Sequence, residues 1–372
     1  MNTNELLYQI TLKQIHGVGD VIAKNLIAYC GSASAIFKAK RDELLKIPQV
    51  GEYVAQFILN GKSDAELFKR AEQEVHFIED NNIKPLFFTE SAYPNKLKHC
   101  HDAPILLFYK GNADLNKEKI VSVIGTRNAT EYGKQQTEKL IRELSAENIL
   151  VVSGLAYGID VYAHKAALAN NLDTVGVLAH GLDELYPSLH TNIANKMIHQ
   201  GGLLTEFISQ TNPDKENFPK RNRIVAGMSD AVIVVESKRS GGALITAEIA
   251  HTYNRDVFAF PGRAEEEFSA GCNMLIKRNK AGLIENAADF LYAMGWEQAP
   301  AKKLKSIQFS LPVNLSEDEN QIINLIKDSQ PVHVDEICNK LQLTPGKASG
   351  LLLQLEFGNL IKSLPGKLYA LN

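Results

Sequence analysis

The chain has 372 residues, of which 45% are hydrophobic and 22% charged, with a formal net charge of −3. That length suits roughly two or three domains with sizeable cores, and a slightly acidic total leaves no global cationic field, so a polyanion could be held only by a local patch. The cysteines Cys30, Cys100, Cys272 and Cys338 are far apart and form no CxxC or Cys/His spacing, which argues against structural zinc or a disulfide framework and fits a reducing cytoplasm.

Residues 1–80 read as short helices. Leu6, Leu7, Ile10, Leu12 and Ile15 lead into Gly17-Val18-Gly19, after which Val21, Ile22, Leu26 and Ile27 keep a helical period. A second copy runs from Leu44 through Pro48-Gln49-Val50-Gly51 to Val54, Ala55, Phe57 and Ile58. Each unit is helix, tight turn, helix, and resembles the helix-hairpin-helix (SAM-like) motif, whose turn amides meet a phosphate. Gln49 replaces the first glycine of the second turn, and Asp20 and Glu52 stand where a phosphate would approach. A purely structural helical domain is the reading these departures favour.

From 85 to 296 the pattern changes to strands alternating with helices. Strands are predicted at Ile105–Tyr109, Ile120–Ile124, Ile149–Ser153, Thr174–Leu178, Leu203–Phe207, Ala231–Glu236 and Val257–Phe260, and helices at Lys134–Glu147, Ile159–Ala169 and Ala243–Tyr253. Apolar runs separated by helices imply an α/β domain, a parallel sheet covered on both faces, with ligands beyond the carboxyl ends of its strands. The stretch 297–315, which carries Pro300 and Lys302-Lys303-Leu304-Lys305, reads as a linker. Over 316–372, Ser316 caps a first helix, Val334–Leu341 and Thr344–Glu356 make two more, and Ile361–Leu364 with Lys367–Ala370 form a hairpin, a winged-helix layout. No run of about eighteen apolar residues predicts a membrane span, and Met1–Glu5 is no secretory leader.

The chemistry gathers in the loops that follow the strands. Gly125-Thr126-Arg127 offers an open backbone and two donors; Ser153-Gly154 opens a small loop before a helix; Lys238, Ser240 and Gly241 follow Ala231–Glu236. Phe218-Pro219-Lys220-Arg221-Asn222-Arg223 sets three cations in four residues ahead of the apolar run Ile224–Met228, where the start of a helix would add its amides and dipole. One such loop is common; together they predict a basic anion-binding face. GxGxxG, GxxxxGK[ST] and a nucleophile elbow are absent, which disfavours a dinucleotide site, a P-loop NTPase and a serine hydrolase. Asp160 and His164 stand four apart on a helix and could be an acid–base pair or half a metal site, although a core histidine bonded to a helix neighbour is the commoner arrangement.

Read in order, these loops resemble the DNA-processing protein A family (DprA, also called Smf). The likeness rests on Gly125-Thr126-Arg127, Ser153–Asp160 with Ala163-His164, Gly181-Leu182-Asp183 with Tyr186-Pro187, and Phe218–Gly227. It continues through Val235-Glu236, Ser240-Gly241, Thr246-Ala247, Val257–Gly262 and Gly271-Cys272-Asn273 with Leu275-Ile276. Thr126 stands where the family usually has Ser, and keeps the hydroxyl. The resemblance implies a cytoplasmic, non-catalytic homodimer that binds single-stranded DNA on an extended Rossmann-like domain, protects incoming DNA in natural transformation and helps load the RecA recombinase, without a cofactor. It implies phosphate contacts from Arg127, Lys220, Arg221, Asn222 and Arg223, and amides or hydroxyls from Gly125, Thr126, Ser153, Gly154, Ser240 and Gly241. Lys238 is a weaker member, and Phe218 could stack on a base or close the core. The alternative is a nucleotide-processing enzyme, because Ser240–Glu248 is similar to the PGGxGTxxE loop of lysine-decarboxylase-like phosphoribohydrolases with the proline and a glycine missing. Thr344–Glu356 balances Lys347 against Glu356 and is rich in leucine, so the C-terminal module is expected to meet protein rather than DNA.

Overall fold

The two tight turns near the N-terminus are built alike. In this computed structural model, which describes residues 3–297 and 315–372, α1 (Thr3–Gln14) and α2 (Asp20–Cys30) flank the first turn; α3 (Ala33–Ile36) follows, and α4 (Arg41–Leu44) and α5 (Glu52–Gly61) flank the second. Val18 and Val50 are both buried, and their N–H groups donate to the Ile15 and Ile47 carbonyls, each at 3.1 Å. Gly17 takes φ +79° and Gln49 φ +66° at the equivalent place. Gln49 therefore accepts a left-handed backbone that costs a side-chain-bearing residue roughly 1–2 kcal/mol. α6 (Ala65–Asp80) packs along α1 and completes this helical layer.

The layer is sealed to a sheet that contains β1 (Lys84–Phe87), β2 (Leu106–Gly111), β3 (Ile120–Ile124), β4 (Leu150–Ser153), β5 (Thr174–Val177), β6 (Gly201–Thr205), β7 (Ala231–Val234), β8 (Asp256–Ala259) and β9 (Gly282–Leu283). The helices between them are α7 (Asn95–Lys98), α8 (Glu131–Leu144), α9 (Ile159–Ala169), α10 (Thr191–His199), α11 (Asn217–Met228), α12 (Gly242–Thr252) and α13 (Ala270–Lys277). The strand order is β1-β2-β6-β5-β4-β3-β7-β8-β9. Every residue of β3 to β7 is buried, as strands covered on both faces require. The chain leaves β3 toward β4 on one side and later returns to β7 on the other, which opens a crevice beyond the carboxyl end of β3.

Three sequence expectations need correction. The sheet is mixed rather than wholly parallel, since β2 runs antiparallel to both β1 and β6. β6 starts at Gly201 rather than Leu203: Tyr109 lies across this part of the strand, and a Cβ on Gly202 would sit 2.4 Å from its ring. Only the bare backbone of glycine allows that approach. α11 starts at Asn217, so the basic segment occupies its first two turns instead of preceding it, and Pro219 is tolerated in the first turn because its missing N–H has no intrahelical acceptor there.

The helical layer and the sheet form one compact unit, Met1–Leu283, and Ile284–Asn372 forms the second. α14 (Ala287–Met294) belongs to that second unit. The linker expected at 297–315 lies almost wholly outside the described residues. Beyond it, α15 (Glu317–Ser329), β10 (Val332–His333), α16 (Val334–Lys340), α17 (Pro345–Phe357), β11 (Ile361–Leu364) and β12 (Leu368–Leu371) make a winged helix over a core of Ile322, Ile326, Ile337, Leu352 and Ile361. The capping box of Ser316 and Glu319 starts it, as the sequence indicates.

One ionic knot holds α6 to the sheet. Glu74, 2% exposed, accepts from the Ser209 amide at 3.0 Å and its hydroxyl at 2.5 Å, while Arg70 reaches Glu74 at 3.1 Å and the Ser209 carbonyl at 2.6 Å. Glu74→Ala would leave Arg70 without its carboxylate and the Ser209 amide and hydroxyl without their acceptor in a half-dry seam. It is expected to destabilise the first unit by about 3–5 kcal/mol, read as a fall in the urea midpoint of its unfolding.

Candidate functional site

A cavity of about 470 Å³ opens over the tips of β3, β4 and β7. Its base is a buried cation. Arg221, 4% exposed, donates from Nη1 to the Val177 carbonyl at 2.8 Å, its only hydrogen bond among the described residues, and its Nε is buried without an acceptor. Burial pulls the Arg221 pKa down, Asp160 opposes that, and Arg127 adds to it. A guanidinium carries five N–H donors, so this one can serve an incoming acceptor group. Gly154 makes room for it: a Cβ there would lie 1.7 Å from Nη1.

The walls come from loops and helix starts. Gly125 and Thr126 leave β3, and the Thr126 carbonyl accepts from the Ile159 amide at 3.1 Å, which fastens the loop to α9. That fastening needs Gly158 at φ +77°, where a Cβ would lie 2.1 Å from the Thr126 oxygen. Asp160 turns its buried carboxylate back on the loops and accepts from the Gly154 amide at 3.1 Å. Burial raises its pKa, against the pull of Arg221 and the amides of Gly154, Ala156 and Gly125. On the opposite wall α12 begins at Gly241-Gly242 with no side-chain cap, and among the described residues the amides of Gly242 and Ala243 meet no acceptor. Two free amides at the positive end of an eleven-residue helix suit an anion.

Arg127 stands exposed at the rim with its guanidinium 5.0 Å from the Phe218 ring centre. Tyr186 meets the same ring edge-on at 6.4 Å. Asn222, Lys238 and Gly241 also line the cavity, and Lys238 is paired to Glu267 at 2.8 Å. Four sequence candidates lie elsewhere. Ser153 is fully buried and gives its hydroxyl to the Val123 carbonyl at 2.7 Å. Lys220 and Ser240 are exposed but outside the lining. Arg223 points away from the cavity and is held by Glu206 at 2.5 Å and Asp20 at 3.2 Å, which corrects its reading as a phosphate ligand. Sequence reasoning missed Lys215, which lines the cavity but is flanked by Asp214 and Glu216 and so gave no cationic signal.

His164 and Asp160 do not form a pair. The His164 Nδ1 lies 2.6 Å from the Thr174 hydroxyl, which itself donates to the Val151 carbonyl at 3.0 Å. The ring is therefore the donor there, and its buried Nε2 carries a bare lone pair. Its partner is a strand residue rather than a helix neighbour. Among the described residues no group of three His, Cys, Asp or Glu side chains could hold a metal ion.

Residues 84–295, which include every lining residue, match the family of DNA recombination-mediator protein A, and residues 310–367 match the DprA winged-helix domain. The chain belongs to the DNA recombination-mediator protein A family. It is 38% identical over 272 residues to the DNA processing protein DprA of Streptococcus pneumoniae, covering 69% of this chain and 96% of that one. It is 30% identical to Protein Smf of Synechocystis over an alignment of 404 residues that covers 99% of each. The X-ray structure of the pneumococcal DprA superposes with a TM-score of 0.62 at 32% identity, over 77% of this chain and 96% of that one. A structure concerned with single-stranded DNA binding by DNA processing protein A of Helicobacter pylori superposes with a TM-score of 0.52 at 31% identity, over 56% and 94%.

Burial, then the charges of His190 and Arg221, hold the His164 imidazole down at about 3 against an ordinary 6.5. The folded protein thus refuses a proton that the unfolded chain accepts below about 6.5, and stability falls as pH drops from there toward 3. This component reaches about 1.4 kcal/mol per pH unit. Urea midpoints at pH 7 and pH 5 are expected to differ less in His164→Gln than in the parent chain.

Proposed function

We propose that this chain binds single-stranded DNA by its sugar-phosphate backbone in the strand-tip cavity. The observation that carries the reading is Arg221, a buried guanidinium with unused donors at the base of a cavity whose opposite wall is an uncapped helix start. A phosphate placed there would satisfy Arg221 and the amides of Gly242 and Ala243 together. Arg127 would hold the next phosphate at the rim, and the Phe218 face beside it would offer a base a stacking platform. None of these groups is matched to a base edge, so binding is expected to be independent of sequence and sensitive to salt. The relatives support the reading, above all the Helicobacter pylori protein whose structure concerns single-stranded DNA.

The role that follows is that of a cytoplasmic, homodimeric mediator that shelters incoming DNA in natural transformation and helps RecA onto it, by binding rather than catalysis. No described helix is long and apolar enough to cross a membrane. The nucleotide-processing alternative rests on the loop Ser240–Glu248, which would then have to lie as a whole at the site. Glu248 is instead exposed, outside the lining, and paired with Lys280 at 2.6 Å.

Arg127→Ala should weaken binding of an unstructured oligonucleotide by roughly tenfold, in line with about 1.5–3 kcal/mol for a charged hydrogen bond. In fluorescence anisotropy it should also lower the slope of log affinity against log salt by about 0.7, the share of one phosphate. Wild-type affinity and slope in this variant would refute the site. Release of free base from nucleoside monophosphates would favour the enzyme instead.

A further inference from the structure

The N-terminal helical layer lies outside the segment that matches the family's DNA recombination-mediator model, yet it reaches the back of the site through one residue. Arg223 follows Asn222, a lining residue, but its side chain is 12% exposed and turned to the other face of α11. Its guanidinium is shared by three elements: Asp20 at the start of α2 at 3.2 Å, Glu206 after β6 at 2.5 Å, and the backbone carbonyl of Asp102. Asp20 is anchored in turn by the Ile105 amide at 3.0 Å, and Glu206 is also approached by Lys13 of α1 at 3.7 Å. The Asp102 carboxylate accepts from the Tyr253 hydroxyl just beyond α12. One knot therefore grips α11 through Arg223 and the end of α12 through Tyr253, and the starts of both helices line the cavity.

We infer that Asp20 and Arg223 are positioning residues for the phosphate site: the helical layer clamps α11 and α12 from behind and so sets where Arg221, Asn222 and the α12 amides stand. A site that depends on several fixed donors loses affinity when its supports shift, even where no contact is removed. This rests on the cavity being the phosphate site.

The test uses the full chain. Asp20→Asn keeps an acceptor for the Ile105 amide but removes the charge that faces Arg223, and Arg223→Gln removes the other half. Affinity for an oligothymidylate is measured across a salt series, at a temperature where each variant is folded by circular dichroism. Both single variants should bind about fivefold more weakly, within the range found for indirect coupling, with the parental salt slope. The double variant should bind no more weakly than Arg223→Gln alone, because both act through one pair. If Arg223→Gln does not fold, Asp20→Asn decides alone. Parental affinity in Asp20→Asn, a slope lowered in Arg223→Gln as in Arg127→Ala, or additive losses in the double variant would overturn the inference. Arg127→Ala separates the two levels: unchanged binding there refutes the site itself, whereas weakened binding there with parental Asp20→Asn refutes only the clamp.

Discussion

A guanidinium sealed beneath the strand tips is the constraint around which the central domain is arranged. Arg221 is desolvated, yet among the described residues no carboxylate forms an ion pair with it; Asp160 influences it only from a distance, and its single hydrogen bond there is to a backbone carbonyl. Leaving such a group in a core is costly unless something compensates, because desolvation of an unpaired charge is the most expensive form of burial. The surrounding sequence is shaped to hold it there. Gly154 carries no Cβ because the guanidinium fills that space, and Asp160 draws the loop amides toward itself, which keeps the base of the cavity ordered.

The same economy of backbone explains the glycines and the exposed face. Gly158 in its left-handed conformation lets the β3 loop lie on the start of α9, and Gly241-Gly242 leaves the start of α12 bare. At the start of α9 the Ile159 amide is already taken by the Thr126 carbonyl, whereas among the described residues the first amides of α12 are open. The site is thus one-sided: cation at the base, amides on one wall, an aromatic paired with a second cation at the rim. The slightly acidic total charge of the chain sharpens that local contrast. Among the described residues the winged helix lacks such a feature. Its α17 presents Leu353 and Phe357, 51% and 82% exposed, and carries little positive charge.

Much of this was legible in the residues. Apolar runs separated by helix-length segments gave the sheet, and the glycine- and hydroxyl-rich loops gave the end of it that matters, since Gly125, Arg127, Gly154 and Gly241 all line the cavity. Orientation was not legible. Residues 221 and 223 are both arginine, but two positions on a helix turn the side chain by roughly 200°, so one enters the cavity and the other leaves it. Ser153 sits at the strand end where the sequence placed it, but the side to which its hydroxyl turns was not legible, and that hydroxyl belongs to the sheet. Lys215 was hidden by its acidic neighbours Asp214 and Glu216, neither of which lines the cavity. The ionic knot of Asp20, Glu206 and Arg223 joins residues far apart in the chain, and no local pattern announces it.

Hydrogen–deuterium exchange with and without a short thymidine oligonucleotide addresses the central claim most directly, because it reads the backbone amides themselves. A phosphate cradle at the strand tips requires slower exchange on binding at 125–127, 154–158 and 241–243, with the start of α11 following. Protection confined to the helical layer or to the winged helix, with those loops unchanged, would contradict it.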